Sequence, residues 1–290
     1  MKKALCVGIN DYPGTSNDLK GCVNDAADWG ALLREYGYTV ETLVDARGTR
    51  DNILAGLADL VSQAGPDDVV VFTYSGHGTS VYDADGDEGD GYDEALYVYD
   101  GVLKDDELRT VIAGLNPEAS LIVISDSCYS GTVTRVLSQG APRYMPSGRA
   151  LAGPVRQRVL YPEAGMNEIL ISGCNDSEYS YDALLNGRWN GAMTRYAIDT
   201  ITANRTASYN EFHTALRQLL PSQAYPQTPQ LEGNEGQKTS RLFEAFEPAS
   251  DEEPQPDPEP EPDEPGGLAW YWWLVIVAVV AAILYLIFGR

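Results

Sequence analysis

Three short apolar runs constrain this chain most: residues 4–9 (ALCVGI), 67–75 (DDVVVFTYS) and 119–127 (ASLIVISDS). Each is too short for a core helix and apolar at successive positions, as a strand buried on both faces is. The stretches between them carry helical spacing and supply the covers. NDAADWGALLREYG offers Ala27, Leu32, Leu33 and Tyr36 as inward positions and Gly37 as its stop. TRDNILAGLADLVSQAG is opened by Thr49 and closed by Gly65, and KDDELRTVIAGL has acids in its first turn, where the helix dipole favours them. A further strand is expected in YTVETLVD and another in NEILISGC. Two more helices are expected in GAMTRYAIDTITAN and SYNEFHTALRQLL, the latter opened by the capping box Ser208-x-x-Glu211. Strands alternating with helices predict an α/β fold: a mostly parallel sheet with helices on both faces, and ligands at the carboxyl ends of its strands.

Charge excludes one class of partner. The net charge is −23, and residues 247–267 combine acids and prolines without a single Lys or Arg. A chain this acidic lacks the cationic surface that nucleic acid requires. Its field suits cationic partners instead. Residues 268–288 form an uncharged apolar run with Trp270, Tyr271, Trp272 and Trp273 at one end and Tyr285 near the other. As a helix it would span ~31 Å, enough for a bilayer core of ~30 Å. The expectation is a single-pass C-terminal anchor on an acidic, Pro-rich linker, with the folded domain on the cytoplasmic side because no secretory signal opens the chain.

The chemistry lies at two strand ends. The run 69–75 leads into Ser75-Gly76-His77-Gly78, and 119–127 leads into Cys128-Tyr129-Ser130-Gly131. His77 and Cys128 therefore occupy equivalent carboxyl-edge positions and form a candidate Cys–His dyad, in which imidazole takes the thiol proton and returns it to a leaving amine. The N–H groups of Gly78 and Cys128 could hold an oxyanion. Asp126 shares a strand face with Cys128. It would raise the thiol pKa rather than activate it, so recognition of a cationic side chain is its better use. His213, Cys6, Cys22 and Cys174 read as packed structural residues. Residues 132–160 read as an exposed loop carrying Arg135, Arg143, Arg149, Arg156 and Arg158 with no acid, the kind of segment where nicking concentrates. In residues 83–108, Asp83, Asp85, Asp87 and Glu94 fall at EF-hand positions, but Glu88 stands where the loop needs Gly.

YSGHG, DSCYSG, GINDYP followed by NDLKGCVNDA, and the downstream LISGCNDSEYSYDA, GAMTRYAI and YPQTPQLEG occur in this order. Together they resemble the metacaspases, caspase-like cysteine peptidases, over roughly residues 1–245. The resemblance implies a caspase-like three-layer sandwich, with a large-subunit region at 1–131, an Arg-rich loop at 132–166, a small-subunit region at 167–246, the linker at 247–267 and the span at 268–288. It implies His77 and Cys128 as the dyad and Asp25, Ser75 and Asp126 as a pocket for substrate Arg or Lys. Calcium is implied as a cofactor, with Asp93, Asp105 and Asp106 matching acidic ligands. Tyr129 departs from the pattern, many relatives having His there, and the span is not a general feature. The alternatives are a catalytically silent caspase-like scaffold and a calcium-sensing module at a membrane.

Overall fold

The computed structural model describes residues 1–82, 92–128, 140–146, 166–175 and 178–246, with backbone alone at Tyr82, Tyr92 and Asp93. Met1–Pro248 form one compact unit. Residues 247–290, with the expected linker and span, lie outside the described residues. Among the described residues no helix is long and apolar enough to cross a membrane.

The expected apolar runs form strands β1 (Lys2–Gly8), β3 (Val69–Ser75) and β7 (Ser120–Asp126), with β2 (Thr39–Val44) and β9 (Glu168–Ser172) completing the parallel part of the sheet. Its order is β12-β9-β7-β3-β1-β2, and only the edge strand β12 (Gln230–Glu232) runs antiparallel. Alternate residues of each strand feed two separate cores. Ala4, Cys6, Val69, Val71, Ile122 and Ile124 pack toward α1 (Cys22–Glu35), α4 (Ala192–Ala203) and α5 (Tyr209–Leu216). Leu5, Val7, Val70, Phe72 and Leu121 pack toward α2 (Arg50–Gln63) and α3 (Asp105–Ile112). This is the three-layer α/β arrangement, and each fully buried Val, Leu or Ile contributes about 1.5–3 kcal/mol.

The caps are where the local sequence puts them. Thr49 accepts from Asn52 N–H at the start of α2, and Ser208 and Glu211 form the reciprocal box of α5. One helix face needs correction: Ala27 is exposed, and Ala26 and Trp29 turn inward with Leu32 and Leu33. Two small sheets have no counterpart in the sequence expectations. One is β4 (His77–Tyr82), β5 (Tyr92–Val98) and β6 (Gly101–Lys104). The other is β8 (Ala141–Pro142), β10 (Tyr181–Leu185) and β11 (Arg188–Gly191). Both form from segments that flank the strand ends rather than from apolar runs, so hydrophobic pattern does not announce them.

Candidate active site

The register of β3 and β7 pairs Ser75 with Asp126. Two residues past each lie His77 and Cys128, so sheet pairing delivers both to the same edge. Close approach there requires glycine, because a Cβ on Gly78 would collide with the backbone carbonyl of Cys128.

His77 is 2% exposed. Its N–H donates to the Tyr12 hydroxyl at 2.8 Å, and its ring lies 4.7 Å from the Tyr12 ring. Its Nε2 sits 2.6 Å from the carbonyl oxygen of Asn17. A carbonyl can only accept, so Nε2 carries the proton and Nδ1 presents its lone pair. Nδ1 is buried without a hydrogen-bond partner among the described residues. Burial pushes the His77 pKa below its ordinary value, which keeps the ring neutral. The thiol of Cys128 accepts the Ser180 N–H at 2.7 Å. Cys174, expected as a packed thiol, is buried against the same turn, its Sγ 3.6 Å from the Ser127 carbonyl.

Between these groups lies the segment 141–146, where the expectation of an exposed loop holds at Ala141, Pro142 and Pro146 and fails at Arg143 and Met145. Arg143 is wholly buried. Its Nη2 reaches Asp25 at 2.7 Å and Asp182 at 3.1 Å, and its Nη1 lies 3.3 Å from the Asp126 carboxylate. Its carbonyl oxygen accepts N–H bonds from Gly78 at 3.0 Å and Cys128 at 3.2 Å. Its own N–H donates to the Ser180 carbonyl at 2.9 Å, continuing the antiparallel pairing of β8 with β10. Charge explains the burial: an arginine in a loop without acids meets three carboxylates in a dry pocket. The other four arginines, 135, 149, 156 and 158, lie outside the described residues.

The pocket is assembled from distant segments. Asp25 comes from α1, Asp126 from the end of β7 and Asp182 from β10. The start of α4 supports two of them. Gly191 N–H donates to Asp25 at 3.0 Å, and the Thr194 N–H and hydroxyl donate to Asp126 at 2.9 and 2.8 Å. Helix N-termini favour such anions. Gly191 is obligatory, since a Cβ there would strike both the Asp126 carboxylate and the Arg143 guanidinium. Asp182 accepts backbone N–H bonds from Lys20 and Gly21, both at 2.9 Å. Burial raises the Asp25 pKa to about 6, against the opposing pull of Arg143. Arg143 stays charged: burial works against it, and the surrounding acids outweigh burial.

Sequence reasoning missed Asp182. The available signal is slight: one acid in the five-residue stretch YDALL that folds as β10. Ser75, expected in the pocket, is buried beside Asp126, but the ionic partners of the guanidinium are the three aspartates. Of the expected calcium ligands, Asp105 and Asp106 open α3. Among the described residues no three His, Cys, Asp or Glu side chains are grouped so as to hold a metal ion, and Asp105 lies 3.6 Å from Arg109. The side chain of Asp93 and residues 83–91 lie outside the described residues. His213 places Nε2 3.0 Å from the Pro229 carbonyl, away from this site.

Comparison with known proteins agrees with this geometry. The caspase domain family model matches residues 1–239. Metacaspase-1 of Meyerozyma guilliermondii is 32% identical, over 83% of this chain and 72% of that protein. Metacaspase-1 of Cryptococcus neoformans is 35% identical, over 83% and 64%. Metacaspase-1 of Schizosaccharomyces pombe is 32% identical, over 79% and 66%. The chain thus spans about two thirds of the length of these relatives. A crystal structure of a Geobacter sulfurreducens protein superposes with a TM-score of 0.69 at 29% identity, covering 85% of this chain and 100% of that one. With the sheet edge, the buried His and Cys and these matches in hand, the chain belongs to the caspase domain family, alongside the metacaspases, and is a cysteine-type peptidase.

Proposed function

We propose that the chain is an endopeptidase that cuts after Arg, and less well after Lys, and that it processes itself at the Arg143–Tyr144 bond. One observation carries this: Arg143 fills a pocket of three aspartates while its carbonyl oxygen receives the Gly78 and Cys128 N–H groups. A bound substrate would present its scissile residue in this way.

The chemistry follows from the groups around that carbonyl. The Cys128 thiol gives its proton to Nδ1 of His77, and the sulfur attacks the carbonyl carbon. The developing oxyanion sits between two backbone N–H donors, an arrangement worth several kcal/mol in the transition state. The C–N bond breaks as His77 returns the proton to the nitrogen of residue 144, leaving an acyl thioester on Cys128. His77 then takes a proton from water, hydroxide adds to the thioester, and the new carboxylate leaves as the thiol is restored. The Asn17 carbonyl holds the ring in the tautomer this requires. Asp25, Asp126 and Asp182 bind the substrate cation. A planar guanidinium meets three carboxylates better than a point ammonium does, so Arg is preferred over Lys.

Until it is cut, segment 141–146 occupies the cleft against other substrates. The run 268–288 tethers the catalytic unit to a membrane, and the Pro-rich residues 247–267 give it reach. Calcium activation rests on the acidic stretch around Asp93, Asp105 and Asp106 alone, and no step above uses a metal. The test is hydrolysis of fluorogenic peptides ending in Arg, Lys or Asp, with and without calcium and chelator. Turnover of the Arg peptide at least tenfold above Asp supports the proposal; equal turnover refutes it. Detergent-dependent extraction of the full chain, lost on deleting 268–288, tests the tether.

A further inference from the structure

Segment 141–146 is held unevenly on the two sides of the Arg143 carbonyl. Before it, Ala141 and Pro142 are exposed, although their backbone pairs with Tyr181 and Asp182. After it, Tyr144 is half-buried, its ring 6.2 Å from that of Tyr179. One residue further, Met145 is only 4% exposed and joins the apolar cluster that contains Tyr12, Leu19 and Leu96. Its sulfur lies 3.2 Å from the side-chain amide nitrogen of Asn17. Its backbone is clamped at both ends. The Met145 N–H donates to the Gly78 carbonyl at 2.9 Å, and the Met145 carbonyl accepts the Thr79 hydroxyl at 2.9 Å. Pro146 is exposed again, so the clamp ends there.

Buried side chains discriminate and exposed ones do not, because only the former exchange water for protein contacts. We infer that the enzyme carries a second specificity subsite for the second residue after the cut, built by Gly78, Thr79, Asn17 and the Tyr12–Leu19 apolar wall, and that it takes an unbranched or γ-branched apolar side chain such as Met or Leu. The inference rests on cleavage after Arg, and it adds a requirement that the anionic pocket does not impose. Selection is strong at two positions, Arg before the cut and an apolar residue two places after it. The residues before the Arg are read through their backbone. Asn17 links the two ends of the chemistry, since its carbonyl holds His77 Nε2 while its amide meets the occupant of this subsite.

The test uses self-processed wild-type protein and internally quenched peptides Ala-Pro-Arg-Tyr-X-Pro, with an Arg-aminocoumarin peptide that lacks any residue after the cut. Burial of a Met or Leu side chain corresponds to roughly ten- to hundredfold in kcat/KM over Ala, with Glu and Lys at X lower still. Replacing the Ala or Pro changes it less than about threefold on the same reasoning. Cleavage within twofold for all X, while the aminocoumarin peptide is hydrolysed, overturns the subsite and leaves the Arg pocket standing. A second measurement needs no turnover. In a Cys128→Ala chain, hydrogen exchange at the amides of Gly78 and Met145 is protected, Met145→Leu keeps that protection and Met145→Glu loses it. Protection unchanged by Met145→Glu overturns the subsite even if no peptide is cut.

Discussion

Asp25 and Asp28 stand one turn apart on α1 and each holds an arginine, but they do different work. Asp25 faces Arg143 at 2.7 Å, with both side chains fully buried. Asp28 pairs with Arg188 at the rim, with side chains 26% and 42% exposed. Asn190 touches both carboxylates, at 2.9 Å each, so the two pairs are neighbours in one network. Water decides between them. At the rim, solvent screens the attraction and the pair contributes ~0–1 kcal/mol. In the pocket nothing replaces a lost partner, so a missing charge costs ~2–5 kcal/mol. A buried ionic site thus discriminates among cations, whereas an exposed one merely decorates the surface.

The comparison is broken most completely at the nucleophile. Cys128→Ala is expected to abolish peptide hydrolysis and to leave the chain uncut, with Arg143 still seated; mass spectrometry finding a new terminus at Tyr144 in this variant would remove the mechanism. Next comes the pocket. Asp126→Ala should lower kcat/KM on Arg peptides by about 10²–10³, because Asp126 meets Arg143 while resting on α4. A loss under threefold would equate the pocket with the rim.

Arg143→Gln removes the internal cation and leaves three aspartates facing a neutral side chain. Processing after residue 143 should cease, and the melting temperature of the uncut chain should fall relative to uncut Cys128→Ala protein, since breaking a buried pair typically costs ~3–5 kcal/mol. An unchanged melting temperature would mean that the pair adds nothing to the fold.

Acidity sharpens the contrast further. Asp25 titrates at about 6, chiefly because burial penalises its charge, while Arg143 pulls it down. Arg143, Asp126, Asp182, Asn190 and the Gly191 N–H surround it. Once Arg143 leaves, that pull is gone, so the open pocket titrates higher. Activity on Arg peptides should therefore fall as pH drops through a limb at or above 6, and Asp25→Asn should flatten that limb. Burial likewise depresses His77 below its usual value. The stability sign is opposite. A carboxyl raised from 3.8 to about 6 on folding favours the folded state when protonated. That contribution is complete below pH ~4 and lost as pH rises through about 6. A pH profile identical in wild type and Asp25→Asn would assign the limb elsewhere. The smallest effect belongs to the rim: Asp28→Asn should change kcat/KM less than threefold and stability by under ~1 kcal/mol.

Much of this is legible in the sequence. The strands are, because β1, β3 and β7 are apolar at successive positions, and so are the caps at Thr49 and Ser208. The matched placement of His77 and Cys128 is legible too, since both follow buried strands. The small sheets are not. β10 and β11 turn at Asn186 and Gly187, both with positive φ, in a segment whose apolar pattern is weak. A loop arginine is ordinarily exposed, so nothing local to residue 143 announces its burial.

By itself, then, the sequence determined the alternation of strands and helices, the matched placement of His77 and Cys128 at two strand ends, and the acidic character of the chain. These are local properties, set by periodicity and by residue type. Tertiary structure alone decided which arginine enters the site, and it added Asp182 to Asp25 and Asp126, the two acids that the resemblance implies. Asp25, Asp126 and Asp182 are separated by most of the domain and become one pocket only when α1, β7 and β10 pack against the start of α4. Burial sets the Asp25 pKa, excludes water from the Arg143 guanidinium and closes the subsite around Met145, and burial is a property of the packed assembly rather than of any segment.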